Sequence, residues 1–231
     1  MQILFNQRGN PIKANDVKKS ISAFGYSYNV TVQAVIDNSE AGIDKRMFFE
    51  NVARLMPNFR MTRSGPFKGV TYLDGRVRDP NGHIRSCWTG IGNELVQVRK
   101  VIDVQRRKNR SRVLVDMSES LRKKVIAELW QIFKKLEFIC RGKTGFGMVA
   151  ASKVLFSVLP EVALPIDNQQ WLKLFKTIDY GDIIKLMALE IKTWEKTTGQ
   201  KLDSCYPEYN FTLPSVYNVL AMKARPRRKR K

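Results

Sequence analysis

The side chain with the clearest chemical potential is Asp167, which follows Pro165-Ile166 and stands 20 residues after Gly147 of a Gly145-Phe146-Gly147 turn. A carboxylate at the start of a helix stays ionised, because the helix N-terminus stabilises negative charge. It therefore suits a charge-stabilising role better than proton donation. The turn supplies a second function. Glycines let the backbone adopt special angles and approach a phosphate, and the free N–H groups of the next helix face an anion. Ala151, Val154 and Leu155 follow Gly147 by four, seven and eight residues, so they lie on one helix face, and the small Ala151 allows a neighbouring helix to come close. Asp167 before NQQWLKLF is equally an ordinary N-cap, a role that requires no chemistry.

Other chemistries fit less well. Gly142-Lys143-Thr144 has the ending of a phosphate-binding loop, but Glu137 stands where that motif needs its first glycine. A dinucleotide fingerprint fails because a long helical pattern, not a strand, precedes Gly145. Cys87, Cys140 and Cys205 lie far apart without a CxxC pair, which argues against a zinc site and assigns each the role of a small buried hydrophobe. Lone His83 falls in an apparent hairpin turn, where a solvated role is expected. Trp171 reads either as core or as a base-stacking residue, and Trp88 and Trp130 read as core.

The elements that must position these groups are mainly helical. Asp16 is placed to cap a first helix carrying Val17, Ile21 and Phe24 up to Gly25. Tyr26 to Ile36 reads as either extended or a buried helix. Asp44 opens a helix with Met47, Phe48, Val52, Leu55 and Met56 on one side, ended by Pro57. SGPFKG, LDG and DPNG are turn signals marking a small β-hairpin insertion, with VTYLDGRV and RVRDPNGHIRS as its strands. From Cys87 the helical pattern resumes. Asp116-Met-Ser-Glu119 resembles a capping box for a helix from Leu121 to about Cys140. Further helices are expected over 168–176, over 182–197 with Gly199 as C-cap, and from Pro214. Residues 1–117 form the N-terminal part, 118–222 the hairpin region with the C-terminal helices, and 223–231 a basic tail.

Charge narrows the class of partner to a polyanion, nucleic acid first and a peripheral contact with an anionic membrane surface second. Lys plus Arg number 41 against 21 Asp plus Glu, a net +20, and a polyanion is what relieves such self-repulsion. Lys223 to Lys231 carries seven basic residues, and without them the body still bears +13. Seven more lie among Arg99 to Arg112, read either as a solvated helix face or as a ridge in which Arg106, Arg107, Lys108 and Arg110 touch phosphates. No apolar run approaches the roughly 20 residues of a spanning helix, and MQILFNQRGNP lacks a signal-peptide pattern, so an intracellular protein is expected.

The helix, the glycine turn, the small-residue helix and the spaced aspartate together resemble the helix-hairpin-helix DNA glycosylase superfamily, over about residues 136–175. The resemblance implies a glycosylase-like helical bundle, mainly α with the β-hairpin inserted, whose hairpin grips duplex DNA through Lys143, Gly145, Gly147, Val149 and Lys153. It implies Asp167 as the catalytic carboxylate acting on a nucleotide flipped from the stack. Members that also cut the strand carry a lysine nucleophile where this chain has Val149, so a monofunctional N-glycosylase is expected. The histidine often found two residues after the family's aspartate is Gln169 here. The four cluster-binding cysteines of some members are absent, so neither an iron–sulfur cluster nor any other cofactor or metal is expected. The alternatives are a non-catalytic helix-hairpin-helix DNA-binding protein and a basic protein binding RNA or ribonucleoprotein. Protein partners and oligomeric state are not specified by the sequence.

Overall fold

The computed structural model describes residues 3–141, 147–168, 170–206 and 210–224. Its α-helices are α1 (Ala14–Ser22), α2 (Tyr26–Asn38), α3 (Lys45–Asn58), α4 (His83–Lys108), α5 (Val113–Asp116), α6 (Glu119–Ile139), α7 (Met148–Val158), α8 (Tyr180–Thr198) and α9 (Leu213–Ala224). Strands β1 (Thr71–Leu73) and β2 (Arg76–Arg78) form an antiparallel hairpin with Tyr72 opposite Val77. The protein is mainly α with one small hairpin, and a single hydrophobic cluster runs from Ile3 to Ala221 through both sequence halves.

Local signals account for several elements. Asp44 Oδ1 accepts from Met47 N at 2.7 Å to open α3, and Met47, Phe48, Val52, Leu55 and Met56 are buried along it. Pro57 lies inside the last turn, and the helix stops one residue later. Asp74 and Gly75 both adopt positive φ, the geometry a two-residue turn needs to match strand twist. Gly199, at φ 68°, closes α8 as expected.

Tertiary contacts decide others. The Tyr26 to Ile36 stretch is helical, because Val32, Val35 and Ile36 recur at helical spacing and bury against the core. Asn51 ties α2, α3 and α7 together: its Nδ2 donates to Val35 O at 3.1 Å and to Ser157 O at 2.9 Å. Leu4 N donates to Glu190 Oε1 at 2.8 Å, and Tyr217 Oη donates to Glu190 Oε2 at 2.6 Å, fixing the N-terminal segment to α8 and α9.

Three expectations are corrected. Asp16 lies in the first turn of α1 and not at its cap, which is Lys13 without a side-chain bond. The Asp116 box does not form: Asp116 pairs with Arg112, and Ser118 Oγ accepts from Leu121 N at 3.3 Å to start α6. His83 is not in a hairpin turn. The second strand ends at Arg78, Asp79 Oδ1 accepts from His83 N at 2.9 Å, and α4 begins there.

Candidate active site

The segment between α7 and Asp167 is braced at every step. Thr212 Oγ1 donates to Pro160 O at 2.6 Å. Tyr180 Oη accepts from Leu164 N at 2.8 Å and donates to Leu164 O at 3.0 Å. Ile166 N donates to Ser152 Oγ at 3.0 Å, so α7 itself holds the residue before Asp167. Buried backbone groups need such partners, and here they fix where the aspartate stands.

Asp167 is half-buried and makes a reciprocal cap: its Oδ1 accepts from Gln170 N at 2.8 Å, and its own N donates to Gln170 Oε1 at 2.6 Å. Gln170 Nε2 donates to Asn218 Oδ1 at 3.2 Å, and Asn218 Nδ2 donates to Tyr28 Oη at 2.8 Å. The carboxylate is thus locked by a relay reaching α9 and α2. The element it opens is not a regular α-helix but a π-helical turn over Gln170–Phe175.

Lys153 is the neighbour that local sequence reading did not place. Expected among surface DNA contacts, it is only 4% exposed. Its Nζ lies 3.7 Å from Met61 Sδ and 4.5 Å from the centre of the Phe59 ring. Burial lowers its pKa to about 8, against the opposing pull of the Asp167 carboxylate. A lysine so placed holds a substantial fraction of neutral, nucleophilic amine near pH 8.

An aromatic wall continues from this amine. Phe59 and Tyr28 meet edge to face at 6.0 Å, and Tyr28 and Phe24 at 4.8 Å, with all three rings partly exposed. Arg60, next to Phe59 in the chain, is exposed and takes φ 58°, unusual for a non-glycine residue, and Arg63 and Lys68 on the segment that follows are exposed too. No motif in the sequence marked these residues; they assemble only through the packing of α2, α3 and α7. Trp171, the stacking candidate, is 3% exposed and packs against Phe133 and Tyr180 as core.

The hairpin glycines divide. Lys143 and Gly145 lie outside the described residues, as does Gln169. Gly147 has φ −69°, an ordinary helical value, so it is not glycine for backbone freedom. A Cβ there would overlap the Glu137 carbonyl oxygen and come within 2.8 Å of its carbon and 3.0 Å of Arg141 N. Glycine is needed because α6 and α7 approach that closely. Val149 is partly exposed on the first turn of α7.

The basic ridge also divides. Arg106 Nε donates to the fully buried Glu161 at 2.6 Å and Arg110 Nε to the same oxygen at 3.0 Å. Arg99 pairs with Asp103 at 2.7 Å, and Arg112 pairs with Glu195 at 2.7 Å and Asp203 at 2.8 Å. These guanidinium groups are structural, and Arg106 and Arg110 are committed to Glu161 where phosphate contacts were expected. Lys100, Arg107 and Lys108 remain exposed.

Comparison of the chain with family models, with curated proteins and with solved structures gives no match. Among the described residues, no helix is long and apolar enough to cross a membrane.

Proposed function

We propose that the protein is a DNA N-glycosylase that excises a damaged, mismatched or modified base from duplex DNA. The observation that carries this reading is that the braced carboxylate, Asp167, is linked through Gln170 and Asn218 to Tyr28, whose partly exposed ring meets Phe59, the residue before the exposed Arg60. A flipped base stacks on such rings, the basic residues take the backbone, and Asp167 stabilises the sugar cation as the glycosidic bond breaks. The carrying experiment incubates duplexes bearing a panel of modified bases with the protein, then cuts abasic sites with alkali. Asp167→Asn keeps a competent helix cap, so unfolding should shift by only a few tenths of a kcal/mol, while excision falls by about 10²–10³-fold. Full activity in Asp167→Asn, or no excision from any duplex, would refute the proposal. A salt-series gel shift showing preference for RNA over duplex DNA would favour the ribonucleoprotein alternative.

One observation favours a lyase activity in place of the monofunctional outcome: the buried amine of Lys153, lowered to about 8 and beside Asp167. Its neutral form can attack the sugar C1′ as the base leaves with the electron pair of the glycosidic bond; the nitrogen then loses a proton, the C1′–O4′ bond opens with O4′ taking a proton, and an imine results. Borohydride should then trap a covalent protein–DNA adduct in the natural chain and none in Lys153→Met. Because the neutral amine is the attacking species, trapping should rise with pH through about 8. Equal trapping in the variant would exclude this step.

A further inference from the structure

His83 and Cys87 stand four residues apart on the first turns of α4, so both side chains leave the same helix face. Cys140 closes α6, the helix packed against α4. The helices approach so closely that a Cβ on Gly90 would lie 2.5 Å from Ile139 Cδ1, and this closeness delivers Cys140 to the other two. The imidazole nitrogen and both sulfurs lie within 4.8 Å of one another, with the sulfurs 3.9 Å apart. Both cysteines are buried. His83 Nε2 is also buried and has no hydrogen-bond partner, although its ring is held edge-on against Phe67 at 4.7 Å.

Each of these features is what a thiophilic ion needs. Two metal–sulfur bonds of about 2.3 Å at a tetrahedral angle would hold their sulfurs roughly 3.8 Å apart. A disulfide would require about 2.05 Å, so the 3.9 Å spacing is closer to that of two ligands on one ion. The orphaned nitrogen points the same way, because a buried polar atom without a partner is unfavourable unless something binds it.

We infer that His83, Cys87 and Cys140 form a Cys2His site for a thiophilic d10 cation, taken here as Zn2+, pinning the start of α4 to the end of α6. Binding displaces two thiol protons per ion, the imidazole donates its lone pair, and water completes the fourth position. The spacing in sequence concealed this site: 53 residues separate the two cysteines, and the pairing exists only where the helices meet. It is independent of the glycosylase reading, since it uses none of Asp167, Lys153 or the aromatic wall.

The test uses the full chain, reduced and stripped with a chelator, titrated with Co2+ and then Zn2+. Co2+ should give one-to-one binding with thiolate charge-transfer absorption and the intense visible bands of tetrahedral coordination, displaced by Zn2+. Cys87→Ser and Cys140→Ser should weaken binding by ~100-fold or more, while Cys205→Ser leaves it unchanged. His83→Gln retains both buried thiols and so keeps the packing that a cysteine change alters, and it too should lose tetrahedral binding. Thiol titration should find two of three cysteines protected by Zn2+. Weak binding without thiolate charge transfer, charge transfer that depends on Cys205, or formation of a Cys87–Cys140 disulfide in place of ion binding would each overturn the inference.

Discussion

Replacing Lys153 with methionine should stabilise the protein while removing the amine from the candidate site. Lysine ordinarily titrates at 10.5, and burial lowers this one to about 8. At 1.36 kcal/mol per tenfold, the charged form is disfavoured in the folded protein by about 3 kcal/mol. The unfolded chain binds this proton more tightly, so the lysine's burden on stability is full below pH 8. It is relieved as pH rises from 8 to 10.5, where the amine becomes neutral in both states. Methionine matches the length of the side chain and suits the surface formed by Phe59 and Met61. Urea unfolding of both proteins at pH 7 and at pH 10 gives the required double difference, in which other titrating groups cancel. Lys153→Met should be more stable by up to about 3 kcal/mol at pH 7, equivalent to roughly 6–12 °C in Tm for a chain of this size, with most of that gain gone at pH 10. A variant less stable than the natural chain at pH 7, or a gain equal at both pH values, would refute the burial argument and with it the assignment of a reactive amine.

Gly147→Ala should lower stability by about 3 kcal/mol, the upper range for overpacking, because the added carbon meets the Glu137 backbone; thermal unfolding measures it. Glu161→Gln should cost about 3 kcal/mol, the lower end for breaking a buried pair, because Arg106 and Arg110 lose their buried partner and keep only the more exposed Asp103 and Glu40; urea unfolding reads it. Joint replacement of Arg107 and Lys108 by alanine should reduce the salt slope of duplex binding by up to about 1.8 with little change in stability. Arg106→Ala should do the reverse, since its guanidinium is spent on Glu161.

The legibility of each residue followed the range of the force that places it. Asp44 and Gly199 act on their own helix ends, so a few neighbouring residues were enough to assign them. The stripes on α3 and α6 were readable for the same reason, as one-dimensional periodicity reports one buried face. Asp167 was also legible as a cap, and its reciprocal bonds with Gln170 are local. The β-hairpin was fixed by its Asp-Gly turn, whereas Asp16 and Asp116 show that a suitable residue type near a helix start does not by itself choose the cap.

The sequence by itself determined a mainly helical chain with one hairpin, a strong positive charge, and a capping carboxylate at Asp167. Only the tertiary structure decided which charges face inward, because Glu161 reaches Arg106 and Arg110 across more than fifty residues. The same holds for Lys153 beneath Phe59 and Met61, and for His83, Cys87 and Cys140 gathered between α4 and α6. Periodicity records which face of an element is buried, but it carries no information about the partner it is buried against; desolvation and ligand geometry depend on that partner.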